Sequence, residues 1–141
     1  MTTQTNHRPL IVVGVDGSEG SEKALRWAED YAEATNGTLR IVYIWRYPAA
    51  YGFEIADPDF HPDELARETL EQATKDVRLP ADRVVRSLGE GSAAEGLLEE
   101  SRNADLIVVG SHGRGAFKGM LLGSVSTHLV HHAHSPVTVV H

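Results

Sequence analysis

Two runs of aliphatic, largely β-branched residues constrain this chain more than any other feature: Leu10-Ile-Val-Val-Gly-Val15, and Asp105-Leu-Ile-Val-Val-Gly110, which repeats its character. Neither alternates apolar with polar residues, so neither suits a strand with one wet face. Such continuous runs belong to parallel strands buried on both sides. The first ends at Asp16-Gly17-Ser18 and the second at Ser111-His112-Gly113, and both endings are turn sequences.

The segments between and after these runs follow the same logic. Ala24, Leu25, Ala28 and Ala32 recur at helical spacing, with Ser18 or Ser21 available as N-cap and Asn36-Gly37 as a stop. Thr38–Trp45 returns to strand composition. Strand, helix and strand in this order make a βαβ unit with a right-handed crossover. A second helix is expected over 63–77, from Leu65, Ala66, Leu70 and Ala73, with Asp63 placed to cap it. Arg83–Leu88 reads as a third strand flanked by charge, which fits an edge. Gly89-Glu90-Gly91-Ser92 is a turn, and Ala94, Leu97 and Leu98 then carry a helix to Ser101. Val125–His132 forms a fourth helix and Pro136–Val140 a last strand. Five strands alternating with four helices call for an α/β fold: an open parallel sheet with helices on both faces, Rossmann-like. Residues 46–63, with Pro48, Pro58 and Pro62, form an irregular connection. It is read either as a solvated excursion packed by Tyr51 and Phe53 or as a lid or partner surface.

Composition limits the function. A chain of 141 residues, 41% hydrophobic, suits one domain, taken as 10–141 behind a flexible segment 1–9. With no cysteine there is no disulfide, thiolate metal site or thiol nucleophile. The net charge of −7 and the lack of a basic tract argue against a nucleic-acid partner. No apolar run approaches the ~20 residues that span a bilayer, and residues 1–9 lack a signal-peptide core. The expectation is a soluble, cytoplasmic protein without a membrane partner.

Chemistry concentrates between Gly110 and Ser126, where a buried strand stops and a helix begins. In open α/β sheets ligands settle beyond the carboxyl ends of the strands, at the switch point of chain order. Gly110 and Gly113 bring backbone close to a ligand with no Cβ in the way. Gly123-Ser124 stand at the helix start, where unpaired N–H groups and the helix dipole favour phosphate, and the Ser124 hydroxyl can add a bond or cap the helix. Arg114 and Lys118 are the cations of this loop and are placed to screen a polyphosphate.

Gly110, Gly113, Gly123 and Ser124 are spaced as Gly-x2-Gly-x9-Gly-Ser. This pattern resembles the ATP-binding signature of the universal stress protein family. The resemblance extends to Val15-Asp16-Gly17-Ser18, Val42-Tyr43-Ile44, Val108–Gly113 and Ser135–Val140. It implies a five-stranded sheet in the order 3-2-1-4-5, of the adenine nucleotide alpha hydrolase-like type. It also implies ATP, with Mg2+, bound between the ends of strands one and two, Asp16 and Ile44 holding the base and ribose. Phosphate contacts would come from Gly110, Gly113, Gly123, Ser124 and Ser126 and from the Val125 amide, above a floor of Gly14, Val15 and Val109. A homodimer through the last strand, 137–140, is implied as well. The function so implied is a nucleotide-dependent regulatory or stress-response module.

Other readings compete. No Gly-Lys-Ser/Thr occurs, so the loop is not a Walker A motif, and no Gly-x-Gly-x-x-Gly follows strand one. Asp16 suits either a metal or general-base role, or capping of helix one or a bond to ribose. No Ser, His and acid spacing supports nucleophilic catalysis. His112 either touches phosphate or orders the loop through a backbone bond. His128, His131 and His132 share a helical face, open to a metal or to the favourable dipole at a helix C-terminus. A binding module is expected rather than an enzyme. The alternatives are a weak ATPase in the same pocket and a nucleotide-free dimeric scaffold.

Overall fold

The computed structural model describes residues 8–46, 61–113 and 123–141. The expected flexible segment therefore lies mostly outside the described residues, as do most of the 46–63 connection and both loop cations, Arg114 and Lys118. Among the described residues the elements run β1 (Leu10–Val15), α1 (Glu19–Thr35), β2 (Thr38–Trp45), α2 (Pro62–Thr74), a 3-10 turn at Ala81–Arg83, β3 (Val84–Glu90), α3 (Ala93–Glu100), β4 (Leu106–Gly110), α4 (Ser124–His132) and β5 (Val137–Val140). The sheet is parallel throughout, in the order β3-β2-β1-β4-β5. Chain order reverses between β1 and β4, which makes their carboxyl ends the switch point.

Strand periodicity sorts the core. Ile11, Val13 and Val15 of β1 join Leu39, Ile41, Leu106 and Val108 against Ala24, Leu25, Ala28 and Ala32 of α1 and Leu70 of α2. The alternate residues Val12, Val42, Ile107 and Val109 meet Leu97 of α3 and Leu129 of α4 on the opposite face. A strand with buried residues of both parities must be apolar throughout, which is why β1 and β4 read as unbroken runs.

Local chemistry sets the boundaries. Ser18 is the N-cap of α1, its side chain accepting from the Ser21 N–H at 3.2 Å. Asn36 ends the helix in the left-handed region at φ 56°. The expected boundaries of two elements are corrected. α2 starts one residue early, with Pro62 at its first position and Asp63 inside the first turn, because proline needs no partner for a missing N–H. It also stops at Thr74, short of Val77. There the Thr74 hydroxyl donates to the Leu70 carbonyl at 2.7 Å and accepts from Arg86 Nε at 2.8 Å. β3 runs through Gly89 and Glu90, which pair with Ile44 and Trp45 and leave Gly91-Ser92 as the turn. Gly91 takes φ 123°, a region only glycine occupies readily, and its N–H donates to the Trp45 carbonyl at 2.8 Å.

β5 lies at the sheet edge with each residue half-buried. The carbonyls of Pro136 and Val140 accept from Ile107 and Ser111 of the β4 segment. By the two-residue period of a strand, the backbone groups of Val137 and Val139 point to the open edge. No helix among the described residues is long and apolar enough to cross a membrane.

Candidate nucleotide-binding site

A crevice of about 360 Å³ opens at the switch point. Gly14, Val15 and Asp16 supply its β1 side, and Val109, Gly110, His112 and Gly113 its β4 side. Gly123, Ser124, Val125 and Ser126 bring the N-terminus of α4 to one end. Val42 and Ile44 of β2 form the apolar end with Ala93 and Leu97 of α3. Of the twelve residues expected from sequence, eleven line this one cavity, and Arg114 lies outside the described residues.

Asp16 follows β1 directly. Its Oδ1 accepts from the Ser18 N–H at 2.8 Å, a turn that leads the chain into α1, while its own N–H donates to Ser21 Oγ at 3.2 Å. The cap that was one of its expected roles is Ser18 instead, and the carboxylate orders the turn before α1. It also faces the loop after β4: a Cβ built on Gly113 would sit 2.7 Å from Asp16 Oδ2.

Gly110 lines the crevice and also makes room on its other side. Its missing Cβ points at α1, where it would lie 2.8 Å from the Gly20 carbonyl group. Gly20 in turn would strike the His112 carbonyl oxygen at 2.6 Å. Two glycines therefore let the start of α1 press against the end of β4. Parity explains the direction, since Leu106, Val108 and Gly110 all face α1. Gly14 has the opposite parity, and its vacant Cβ position is filled by Leu97 Cδ1 at 2.6 Å.

The start of α4 is anchored from inside. The Gly123 N–H donates to the Ser111 carbonyl at 2.6 Å, and the buried Ser126 hydroxyl lies 3.1 Å from the carbonyls of both Ser111 and Gly123. Gly123 is the N-cap, without a side-chain bond, so Ser124 is the first helical residue and its exposed hydroxyl is not the cap. The first intrahelical bond is Thr127 N–H to the Gly123 carbonyl at 3.0 Å. Helical geometry leaves the N–H groups of Ser124, Val125 and Ser126 without intrahelical acceptors, with the dipole adding partial positive charge there. His112 places Nδ1 3.1 Å from Ser111 Oγ, a side-chain bond within the loop.

His128 and His132 pack with ring centroids 4.8 Å apart, and His131 lies 6.3 Å from His132. Among the described residues no set of three His, Asp or Glu side chains converges to hold a metal. Sequence reasoning missed Ala93, Leu97, Ser18 and Ser21 as parts of the cavity wall. Leu97 carries an ordinary core pattern, but Gly96 beside it, a helix-weakening residue inside α3, was a readable sign of close packing.

An open parallel α/β sheet with a backbone-lined crevice at its switch point and a helix N-terminus at one end defines a class of phosphate-compatible ligand-binding domains. The family model described as the universal stress protein family matches residues 9–141, and the chain belongs to that family. It is similar to a universal stress protein of Mycolicibacterium smegmatis, 38% identical over 138 residues that cover 92% of this chain and 45% of the relative. The chain thus spans less than half the length of that relative. Among solved structures it resembles a universal stress protein in complex with cAMP, with TM-score 0.70, 27% identity and coverage of 95% of this chain and 97% of the other. The fold also matches universal stress protein UspA from Lactobacillus plantarum, with TM-score 0.72, 22% identity and coverage of 96% and 100%.

Proposed function

We propose that this chain binds an adenine nucleotide, ATP with Mg2+, in the switch-point crevice and acts as a nucleotide-dependent regulatory module in a stress response. One observation carries the reading: the first turn of α4, whose amides have no intrahelical acceptors, borders the same cavity as the apolar end formed by Val42 and Ile44. A phosphate chain suits the first and a base the second. The volume of about 360 Å³ lies within the range of small-molecule sites. The similarity to a protein crystallised with cAMP supports the nucleotide class. Gly113 and Gly123-Ser124 line the phosphate end, with Arg114 following in the loop. Asp16 is the acidic residue of the cavity wall among the described residues, and one carboxylate suits Mg2+ held otherwise by phosphate oxygens and water.

Binding is favoured over turnover because Asp16, the carboxylate of that wall, already orders the turn into α1 through Ser18. Mass spectrometry of the supernatant from denatured, freshly purified protein is expected to show ATP. Calorimetry is expected to show saturable ATP binding, with hydrolysis far below ordinary enzymatic rates. No binding at millimolar ATP would end the nucleotide reading. Fast hydrolysis that Asp16→Ala abolishes while sparing affinity would replace the module with an ATPase.

The open edge at Val137 and Val139 further supports a homodimer through β5. Val139→Pro removes an outward N–H and leaves the β4 ladder intact. Dimer dissociation is expected in sedimentation equilibrium, and an unchanged dimer would place the interface elsewhere.

A further inference from the structure

We infer that Gly96 of α3 is a positioning residue that sets the width of the base end of the crevice by giving room to Ile44; the inference rests on the nucleotide reading above. The corner between β3 and α3 is wrapped around this one side chain. Gly89, the register partner of Ile44 on β3, would bring a Cβ to 3.5 Å from Ile44 Cγ1, an ordinary contact. Gly91 then turns the chain at φ 123° while its N–H holds the Trp45 carbonyl next to Ile44. One helical turn later Gly96 arrives directly over Ile44, where a Cβ would collide with Cδ1 and lie 3.3 Å from Cγ1.

Glycine inside an eight-residue helix is unfavourable relative to alanine, and the sequence Ala93-Ala-Glu-Gly-Leu-Leu-Glu-Glu100 otherwise favours helix throughout. The space at Gly96 therefore has a use that helix formation does not supply. Ile44 is confined by Gly89 on one side and by α3 above, and its unfilled side is the cavity that it lines. A methyl group at position 96 displaces Ile44 toward that side, into the volume assigned to the base. Gly96 touches no ligand itself and acts through Ile44.

The test is a mutant cycle read by calorimetry with ATP on the full chain, using wild type, Gly96→Ala, Ile44→Val and the double variant. Gly96→Ala is expected to weaken ATP binding about tenfold, on the scale of one overpacked contact. Ile44→Val removes the colliding Cδ1, so the double variant is expected to bind within about threefold of Ile44→Val alone. A general disturbance of α3 would not be repaired by shortening a residue on β2. Gly96→Ala binding like wild type overturns the inference, and so does a double variant as weak as Gly96→Ala. If Gly96→Ala fails to fold, a folded, ATP-binding double variant supports the contact, and an unfolded one overturns it. A wild-type chain that binds no ATP defeats the nucleotide reading itself, an outcome separate from the other two.

Discussion

The face of the sheet under α1 and α2 and the face under α3 and α4 use their apolar residues differently. The first is covered by helices of 17 and 13 residues, the second by helices of 8 and 9. Among the described residues the first face buries twelve hydrophobic side chains in one cluster and the second six. Three of those six, Val42, Leu97 and Val109, also border the crevice, together with Ile44 and Val125 packed against the cluster. Most of the sealed core thereby lies on one side of the strands and most of the cavity's apolar wall on the other, with Val15, Ser18, Ser21 and Gly110 bringing the first face to the crevice as well.

The largest expected effect tests that division. Ile41→Ala empties a fully buried site on the α1 face and is expected to cost about 2–5 kcal/mol in denaturant unfolding. The ATP affinity of the folded protein should stay within about twofold of wild type, since Ile41 does not line the crevice. An affinity loss matching the stability loss would show that the faces are not separable. The second effect reverses the pattern. Gly113→Val crowds Asp16 Oδ2 and fills the approach to α4. It is expected to weaken ATP about a hundredfold, ~2.7 kcal/mol. Unfolding should shift by no more than about 1 kcal/mol, because the crowded atom ends a side chain. Unchanged affinity would remove Gly113 from the site.

The smallest effect sharpens the comparison at the point where fold and site meet. Ser126 is 2% exposed, and its hydroxyl lies between the Ser111 and Gly123 carbonyls. Ser126→Ala should cost about 1 kcal/mol of stability. Because the same hydroxyl braces the start of α4, a loss of a few-fold in ATP affinity should accompany it. Loss of stability alone, with affinity intact, would make Ser126 purely a core residue.

Much of this architecture is legible in the sequence. The unbroken runs of β1 and β4 require helices on both faces, and the alternation of patterns places each element within a few residues of its observed range. The misplaced ends of α2 and β3 have local causes. Proline at a first helical position and the cross-strand pairing of Gly89 and Glu90 with β2 depend on neighbours that a pattern search does not see. At the site, Gly113, Gly123 and Ser124 carry a spacing that the cavity brings together. Gly110 lines that cavity too, and its missing Cβ has a second use in the close approach to Gly20. A glycine in a motif states that room is needed without saying for what.

The sequence by itself determined the class of fold and the edge position of the third strand, and it marked the glycines that line the switch-point crevice. Each follows from periodicity and turn chemistry within a few residues along the chain. Tertiary structure alone decided which apolar residues seal a core and which wall a cavity. Leu97 and Ile44 look like any buried aliphatic residue until Gly14 and Gly96 are found beneath and above them. That distinction depends on what stands across a gap, and residues far apart in sequence meet there only after the sheet has formed and the helices have settled on it. The two ends of the 110–126 segment were legible as candidate cavity residues, whereas the wall that Ala93 and Leu97 of α3 add to the crevice was not.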